Sequence, residues 1–450
     1  MRPEFFFSNY FRDVKPDEIQ NYRNKALKEV TKYEWPKFKK SEFWKYTNPD
    51  GLFDGIDKTG HRSGATMVTD VALQHRPEKD EKGVALQHRP IESIDIDKYL
   101  IEDAINILDT EDGFLIRDAM PQGVSIVNIN EYMPSAFESL RHRDKGNSYP
   151  LPRKFKKEIR NLLLLNKSYL NSGFYLKIED NKNIDIPIQI IYTKGNEHVF
   201  RKNIIEIGKF SKATIIETYI SENDNNLFFN IDNEITVGES ASLSHYKMEF
   251  SDSSDRIFNN VNININKDAY YNNFYFTNGG NKIKNNIVSN LQEEGSYTEL
   301  NSLYLLKNKN HVDDTTVINH IKPNTKSRQF YKGLLKDESI AIFDGLVEIF
   351  KNAKLSDSNQ LNQTMLLSEK ATINSKPQLV IGNDDVKCSH GATSGQMDKN
   401  QIFYLQSRGM NEKEAAKLLS KAFVAELVNK IKEESIKEFL VDYVNENFWS

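Results

Sequence analysis

The sequence predicts a mainly β protein. A β-rich body over residues 166–395 lies between a helix-rich region, 1–165, and a helical segment, 396–450. Three observations carry this. Short β-branched and aromatic runs recur every ~8–14 residues from about residue 168 to 381, divided by Gly, Asn, Asp and Lys. No helical pattern of useful length separates those runs. Apolar residues at helical spacing occur on either side of the body instead.

The N-terminal region opens with Pro16 placed for the first turn of a helix over 17–33, where Ile19, Tyr22, Ala26 and Val30 share a face. Residues 34–36 (EWP) end it, and 41–47 (SEFWKYT) follow with large aromatics. Within the loop 55–92, the heptapeptide VALQHRP at 71–77 repeats word for word at 84–90. The repeat reads as a local duplication. A metal-binding role for His75 and His88 lacks a supporting Cys or carboxylate pattern. Residues 102–108 and 152–165 are expected to be helical, and 123–127 (GVSIV) to form a short strand.

In the body, 186–192 (IPIQIIY), 213–219 (ATIIETY) and 339–343 (SIAIF) read as strands. The run 261–266 (VNININ) alternates strictly, giving one apolar face and one amide face. A sandwich, barrel or solenoid fits this texture. Asn-rich corners favour a parallel β-helix, in which amides stack from coil to coil. No exact period is present, so periodicity alone does not choose. Past the body, Asn411 and Glu414 form a capping-box pattern. Ala415, Leu418, Leu419, Ala422, Phe423, Leu427 and Ile431 then follow at helical spacing, and a second helix offers Ile436, Phe439, Leu440, Tyr443 and Val444.

Composition narrows the function. The 450 residues carry 60 Lys+Arg against 64 Asp+Glu, a net charge of −4, which argues against a nucleic-acid binder. The single cysteine, Cys388, forbids an internal disulfide and a multi-cysteine zinc or iron–sulfur site held by this chain alone. No apolar run reaches the ~18–20 residues of a membrane helix. The N-terminus shows no secretory pattern. A soluble protein of a reducing compartment is expected. There is no phosphate loop, dinucleotide fingerprint, nucleophile elbow or HExxH motif. The basic stretch 153–157 reads as a solvated helix face.

The densest chemistry lies at 382–393 (GNDDVKCSHGAT). If 386–390 is extended, Cys388 and His390 face one side, about 6–7 Å apart along the strand. Thiolate and imidazole suit iron, zinc or an iron–sulfur centre. Two ligands do not close such a site, and with one Cys here a thiolate-rich site needs another chain. The competing reading is a small buried Cys and a loop-capping His. Asp384 and Asp385 fit a solvated turn better than a cation site. Ser389 and His390, on opposite strand faces, do not form a triad.

Further motifs carry a resemblance. The runs 315–320 (TTVINH), 327–333 (SRQFYKG), 343–345 (FDG), 360–368 (QLNQTMLLS), 377–381 (PQLVI), 384–393 (DDVKCSHGAT) and 403–409 (FYLQSRG) resemble the SufB/SufD family of iron–sulfur cluster assembly proteins. The CSHGAT form is similar to the SufD branch, and 42–47 (EFWKYT) resembles an element near its N-terminus. The duplicated loop matches nothing in the family. The resemblance implies a right-handed parallel β-helix core and a heterodimer with a SufB-like subunit through the C-terminal end of that β-helix. It implies C-terminal helices that dock a SufC-like ABC ATPase, with Phe403, Tyr404, Arg408, Leu419 and Phe423 as candidate contacts. Cys388 and His390 fall on the family's SufD-side interface motif, His390 being the better-supported ligand. A transient iron–sulfur cluster or iron would be shared with the partner and none held tightly by this chain alone. The chain would be a non-catalytic scaffold subunit, cytoplasmic or in a plastid-type organelle, with no nucleic-acid or membrane partner. Three rivals stand beside this: a scaffold without ligation, a β-helix carbohydrate-active protein, for which no convincing carboxylate pair is present, and a SufB homodimer-type scaffold, which the CSHGAT form disfavours.

Overall fold

The computed structural model describes residue 26 and residues 96–448, except 111–112, 117, 130–155, 194–198, 221–227 and 252–253. The expected helix over 17–33, the aromatic run 41–47 and the duplicated heptapeptide with His75 and His88 lie outside the described residues. Ala26 alone of these is described, and it is helical and buried.

In chain order the strands begin with β1 (Ile105–Thr110), β2 (Gly113–Ile116), β3 (Val124–Asn128), β4 (Ser172–Ile178), β5 (Ile188–Thr193) and β6 (Val199–Ile207). The body continues with β7 (Lys212–Ile220), β8 (Phe228–Val237), β9 (Ser242–Ser251), β10 (Arg256–Ile265), β11 (Tyr270–Gly279), β12 (Lys282–Leu291) and β13 (Tyr297–Leu306). It ends with β14 (His311–His320), β15 (Lys326–Leu335), β16 (Ile340–Ile349), β17 (Asp357–Leu366), β18 (Thr372–Ile381) and β19 (Lys387–Gln396). From β4 onward the chain alternates between two sheets, and each strand pairs in parallel with the next but one. That is a parallel β-solenoid, as the sequence leads one to expect. The odd-numbered strands form one wall, joined at its start by β2, and the even-numbered strands form the other, joined at its start by β3.

The lumen between the walls is apolar along much of its length. Val261, Ile263 and Ile265 of the alternating run point into it and are fully buried. Amides do stack between coils, but within strands rather than at corners. Asn259 Nδ2 donates to Asn285 Oδ1 at 2.8 Å across 26 residues, and Asn319 Nδ2 to Asn290 Oδ1 at 2.8 Å across 29. Ser327 and Ser358 lie 31 residues apart. The coil length varies, which is why the sequence shows no fixed period. Each stacked amide satisfies a donor that burial would otherwise leave costly. Corners instead use residues in the left-handed region, such as Asp268, Asn324 and Leu355, with φ of 53°, 57° and 58°.

Residues 102–108 depart from expectation. They lead into β1, not a helix. Ile105 and Ile107 alternate into the lumen, and β1 pairs in parallel with β5, so tertiary pairing overrides local helix preference. The expected strand at 123–127 is present as β3, paired antiparallel with β4. The helix expected over 152–165 is present as α1 (Lys156–Tyr169), which packs on the even-numbered wall. There Asn166 Nδ2 donates to the carbonyls of Arg201 and Asn230, at 2.9 and 2.7 Å.

Three helices follow the last coil: α2 (Lys399–Ser407), α3 (Glu412–Val428) and α4 (Glu434–Asn447). The capping box at Asn411 and Glu414 is formed, in both directions. Leu427, Ile431, Ile436, Leu440 and Val444 bury against the outer face of the odd-numbered wall, on Met248, Phe250, Phe276 and Phe330. Buried Lys332 of β15 fixes α3, its Nζ 2.8 Å from the Phe423 carbonyl and 2.5 Å from Glu426 Oε2. At the start of α4, Glu433 accepts hydrogen bonds from Thr214 and Tyr246.

Candidate functional site

The site residues sit where the solenoid stops. β18 and β19 are the last strands of their walls, and among the described residues neither pairs with a further strand. Their backbone edges, with Val380 and Ile381 exposed beside them, face outward. Asp384 and Asp385 lie in the turn before β19, where Asn383 Oδ1 accepts from the Asp385 backbone N–H at 3.0 Å.

Residues 387–396 are extended, so Cys388 and His390 share a face. The register shows which face. Ser358 is the neighbour of Cys388, and Gln360 the neighbour of His390; both neighbours are buried. The intervening pair is on the outside, with Asn359 Nδ2 donating to Ser389 Oγ at 2.8 Å. Cys388 is half-buried against the lumen core, and His390, two residues further along the strand, is exposed. Burial pushes the Cys388 thiol above its ordinary value; the Ser358 backbone N–H works against this and the Asp357 carboxylate adds to it.

Behind the pair run two polar columns. His320 ring nitrogens lie 2.8 Å from Thr325 Oγ1 and from Ser327 Oγ, and Ser327 donates to Ser358 at 2.8 Å. Burial pushes His320 down to about 3, so its ring is neutral. In the second column Gln360 Nε2 donates to Gln329 Oε1 at 2.7 Å, and Gln329 Nε2 to Thr316 Oγ1 at 2.8 Å. Gln360 and Ser358 are residues the sequence reasoning passed over. Their place beside Cys388 and His390 is set by the register of β17 on β19.

A thiol and an imidazole on one accessible face fit iron or an iron–sulfur cluster as soft donors. They fit it as part of a set, because among the described residues no three His, Cys, Asp or Glu side chains converge to hold a metal. The candidate docking residues divide. Phe403 and Tyr404 on α2 are 71% and 57% exposed, with the Arg408 guanidinium 5.3 Å from the Tyr404 ring centre. Leu419 is half-buried. Phe423 is half-buried against the solenoid, its ring centre 4.3 Å from Lys332 Nζ. Leu418 is the exposed apolar residue of α3 that sequence reasoning left off that surface.

Among the described residues no helix is long and apolar enough to cross a membrane. Residues 190–423 match the family described as SUF system FeS cluster assembly, SufBD core domain. The chain is 36% identical over 235 residues to the iron–sulfur cluster assembly protein SufD of Escherichia coli, covering 52% of this chain and 55% of the relative. It is 27% identical over 314 residues to SufD of Bacillus subtilis, covering 67% and 70%. It is 27% identical over 226 residues to the chloroplastic protein ABCI7 of Arabidopsis thaliana, covering 50% and 48%. The match thus spans about half the length of two of these relatives. With its matched domain, its parallel solenoid and its CSHGAT strand, this chain belongs to the SufB/SufD family.

Proposed function

We propose that this chain is a SufD-type scaffold subunit for iron–sulfur cluster assembly, and that it presents Cys388 and His390 as part of a ligand set that a SufB-like subunit completes. The observation that carries this is the placement of two soft donors on one face of the terminal strand, at an open solenoid end, with no further ligand gathered around them among the described residues. The nascent cluster, or its iron, is the cargo. The unpaired edges of β18 and β19 supply the surface on which the partner's own strands would continue the walls. The exposed face of α2, with Phe403, Tyr404 and Arg408, is the surface offered to a SufC-like ABC ATPase. ATP hydrolysis belongs to that partner, and this chain contributes no catalytic residue. The chloroplast relative supports a plastid-type setting beside a bacterial cytoplasm.

The test is His390→Ala in a chain co-expressed with SufB-like and SufC-like subunits. The expected result is a complex that still co-purifies but no longer builds a cluster, read by visible absorption and iron and sulfide content. Unchanged cluster formation in an intact complex would reduce the role to that of a scaffold without ligation.

A further inference from the structure

The second lumen column ends on an unusual atom. Gln360 is 1% exposed, and its amide nitrogen is committed to Gln329. Its carbonyl oxygen, Oε1, is buried without a hydrogen-bond partner among the described residues. A flip of the Gln360 amide alone does not relieve this. A flip would set Gln360 Oε1 against Gln329 Oε1, two acceptors face to face, while Gln329 Nε2 is held by Thr316. Gly345 makes room for the arrangement, since a Cβ there would lie 2.4 Å from Gln360 Nε2. The glycine of the FDG motif is thus needed on steric grounds, because it admits the Gln360 amide.

The register places Gln360 directly beside His390, on the same face. A buried acceptor thus belongs to the residue that stands beside His390 in the register. Metal-ligating histidines commonly pass their second ring N–H to an oxygen acceptor, which fixes the tautomer and the ring plane. We propose that Gln360 is the positioning residue for His390. Its Oε1 accepts one ring N–H of His390, so that the other ring nitrogen keeps its lone pair toward the open end. This rests on the reading of Cys388 and His390 as ligands. The ladder of Thr316, Gln329 and Gln360 then has a direction with a purpose: each amide N–H points back into the solenoid, and the last acceptor points to the histidine.

The test uses the full chain labelled with 15N-histidine and Zn2+ alone as the probe, with urea unfolding as a control for folding. In the wild type, Zn2+ is expected to fix His390 as one neutral tautomer whose remaining ring N–H exchanges slowly with solvent. Gln360→Met, which keeps volume but removes the acceptor, is expected to weaken Zn2+ binding about 10–100-fold and to release that N–H to fast exchange. Gln360→Glu restores an acceptor once the Gln329 amide turns to donate to the carboxylate and accepts from the Thr316 hydroxyl instead, and it is expected to rescue both. Wild-type affinity and slow exchange in Gln360→Met would overturn the proposal. So would a wild-type His390 N–H that exchanges at the rate of free imidazole, a measurement that stands if Gln360→Met fails to fold. Failure of the underlying reading looks different: His390→Ala and Cys388→Ser would then bind Zn2+ as the wild type does.

Discussion

The middle of the solenoid and its last coil use the same kinds of side chain to opposite ends. In the middle, the Glu217 carboxylate is sealed from solvent and accepts from Tyr219 at 2.6 Å, Asn233 at 3.1 Å and Asn203 at 3.2 Å, with His245 Nε2 2.8 Å away. Burial alone would raise this carboxyl, but the hydrogen bonds and His245 outweigh it and hold the group below its ordinary value. At the last coil, Cys388 and His390 continue columns that are fully buried one coil earlier, yet no further coil covers them among the described residues. A histidine in the middle is a satisfied part of the core. A histidine at the end keeps its bonding capacity for something outside. Residue type does not separate the two roles; the presence or absence of the next coil does.

This contrast breaks if substitutions in the two regions act alike. The largest expected effect is in the middle. Glu217→Ala takes away the buried acceptor of His245 Nε2, Asn233 Nδ2 and the Tyr219 hydroxyl and should cost about 3–5 kcal/mol of stability, measured by urea unfolding. A loss no larger than that of a surface substitution would mean water reaches the lumen. Gly333→Ala comes next. Its Cβ would lie 1.9 Å from Tyr304, a fully buried ring whose hydroxyl is held by Asn362 and Thr364, so overpacking should cost about 1–3 kcal/mol.

The pH dependence sharpens the same point. His320 sits at about 3 in the fold against an ordinary 6.5. A depressed folded value means its contribution is complete above the unfolded value and is lost as pH falls through that window, at about 1.4 kcal/mol per unit. Asp314, pushed up to about 7 by burial, has the opposite sign: its contribution is complete below its unfolded value near 3.8 and is lost as pH rises toward about 7. Unfolding midpoints at pH 7, 6 and 5 should therefore drop less on acidification in His320→Gln than in the wild type. Parallel curves would show that His320 is not held neutral. The smallest effects on stability belong to the ends. His390→Ala, Phe403→Ser and Tyr404→Ser should each stay within about 0.5 kcal/mol of the wild type, because their side chains are exposed.

How far the sequence revealed this can be judged from particular residues. The alternation at 261–265 exposed a strand with an apolar face, and the capping box at Asn411 marked the start of α3, because both signals are local. The extended state around Cys388 and His390 was posed only as a condition, and the strand Lys387–Gln396 meets it. The strand at 105–110 was hidden because its alternation, Ile105 and Ile107, is only three residues long and its partner, β5, lies far along the chain. Gln360 was hidden for a related reason. Its meaning comes from standing beside His390, and coils of 26 to 32 residues leave no fixed offset by which to line the two up. Phe423 lay at helical spacing with residues on α3, but which way that helix turns is decided by Lys332 on a distant strand.

Chemical crosslinking from Cys388 probes the half-built site most directly. Because it is the chain's single thiol, a short bis-maleimide can start from this chain at one place. In a complex co-purified with a SufB-like subunit, the account expects a heterodimeric crosslink joining Cys388 to a cysteine of the partner, with the link lost in Cys388→Ser. An intact complex in which Cys388 stays unlinked while the partner's cysteines react elsewhere would contradict it.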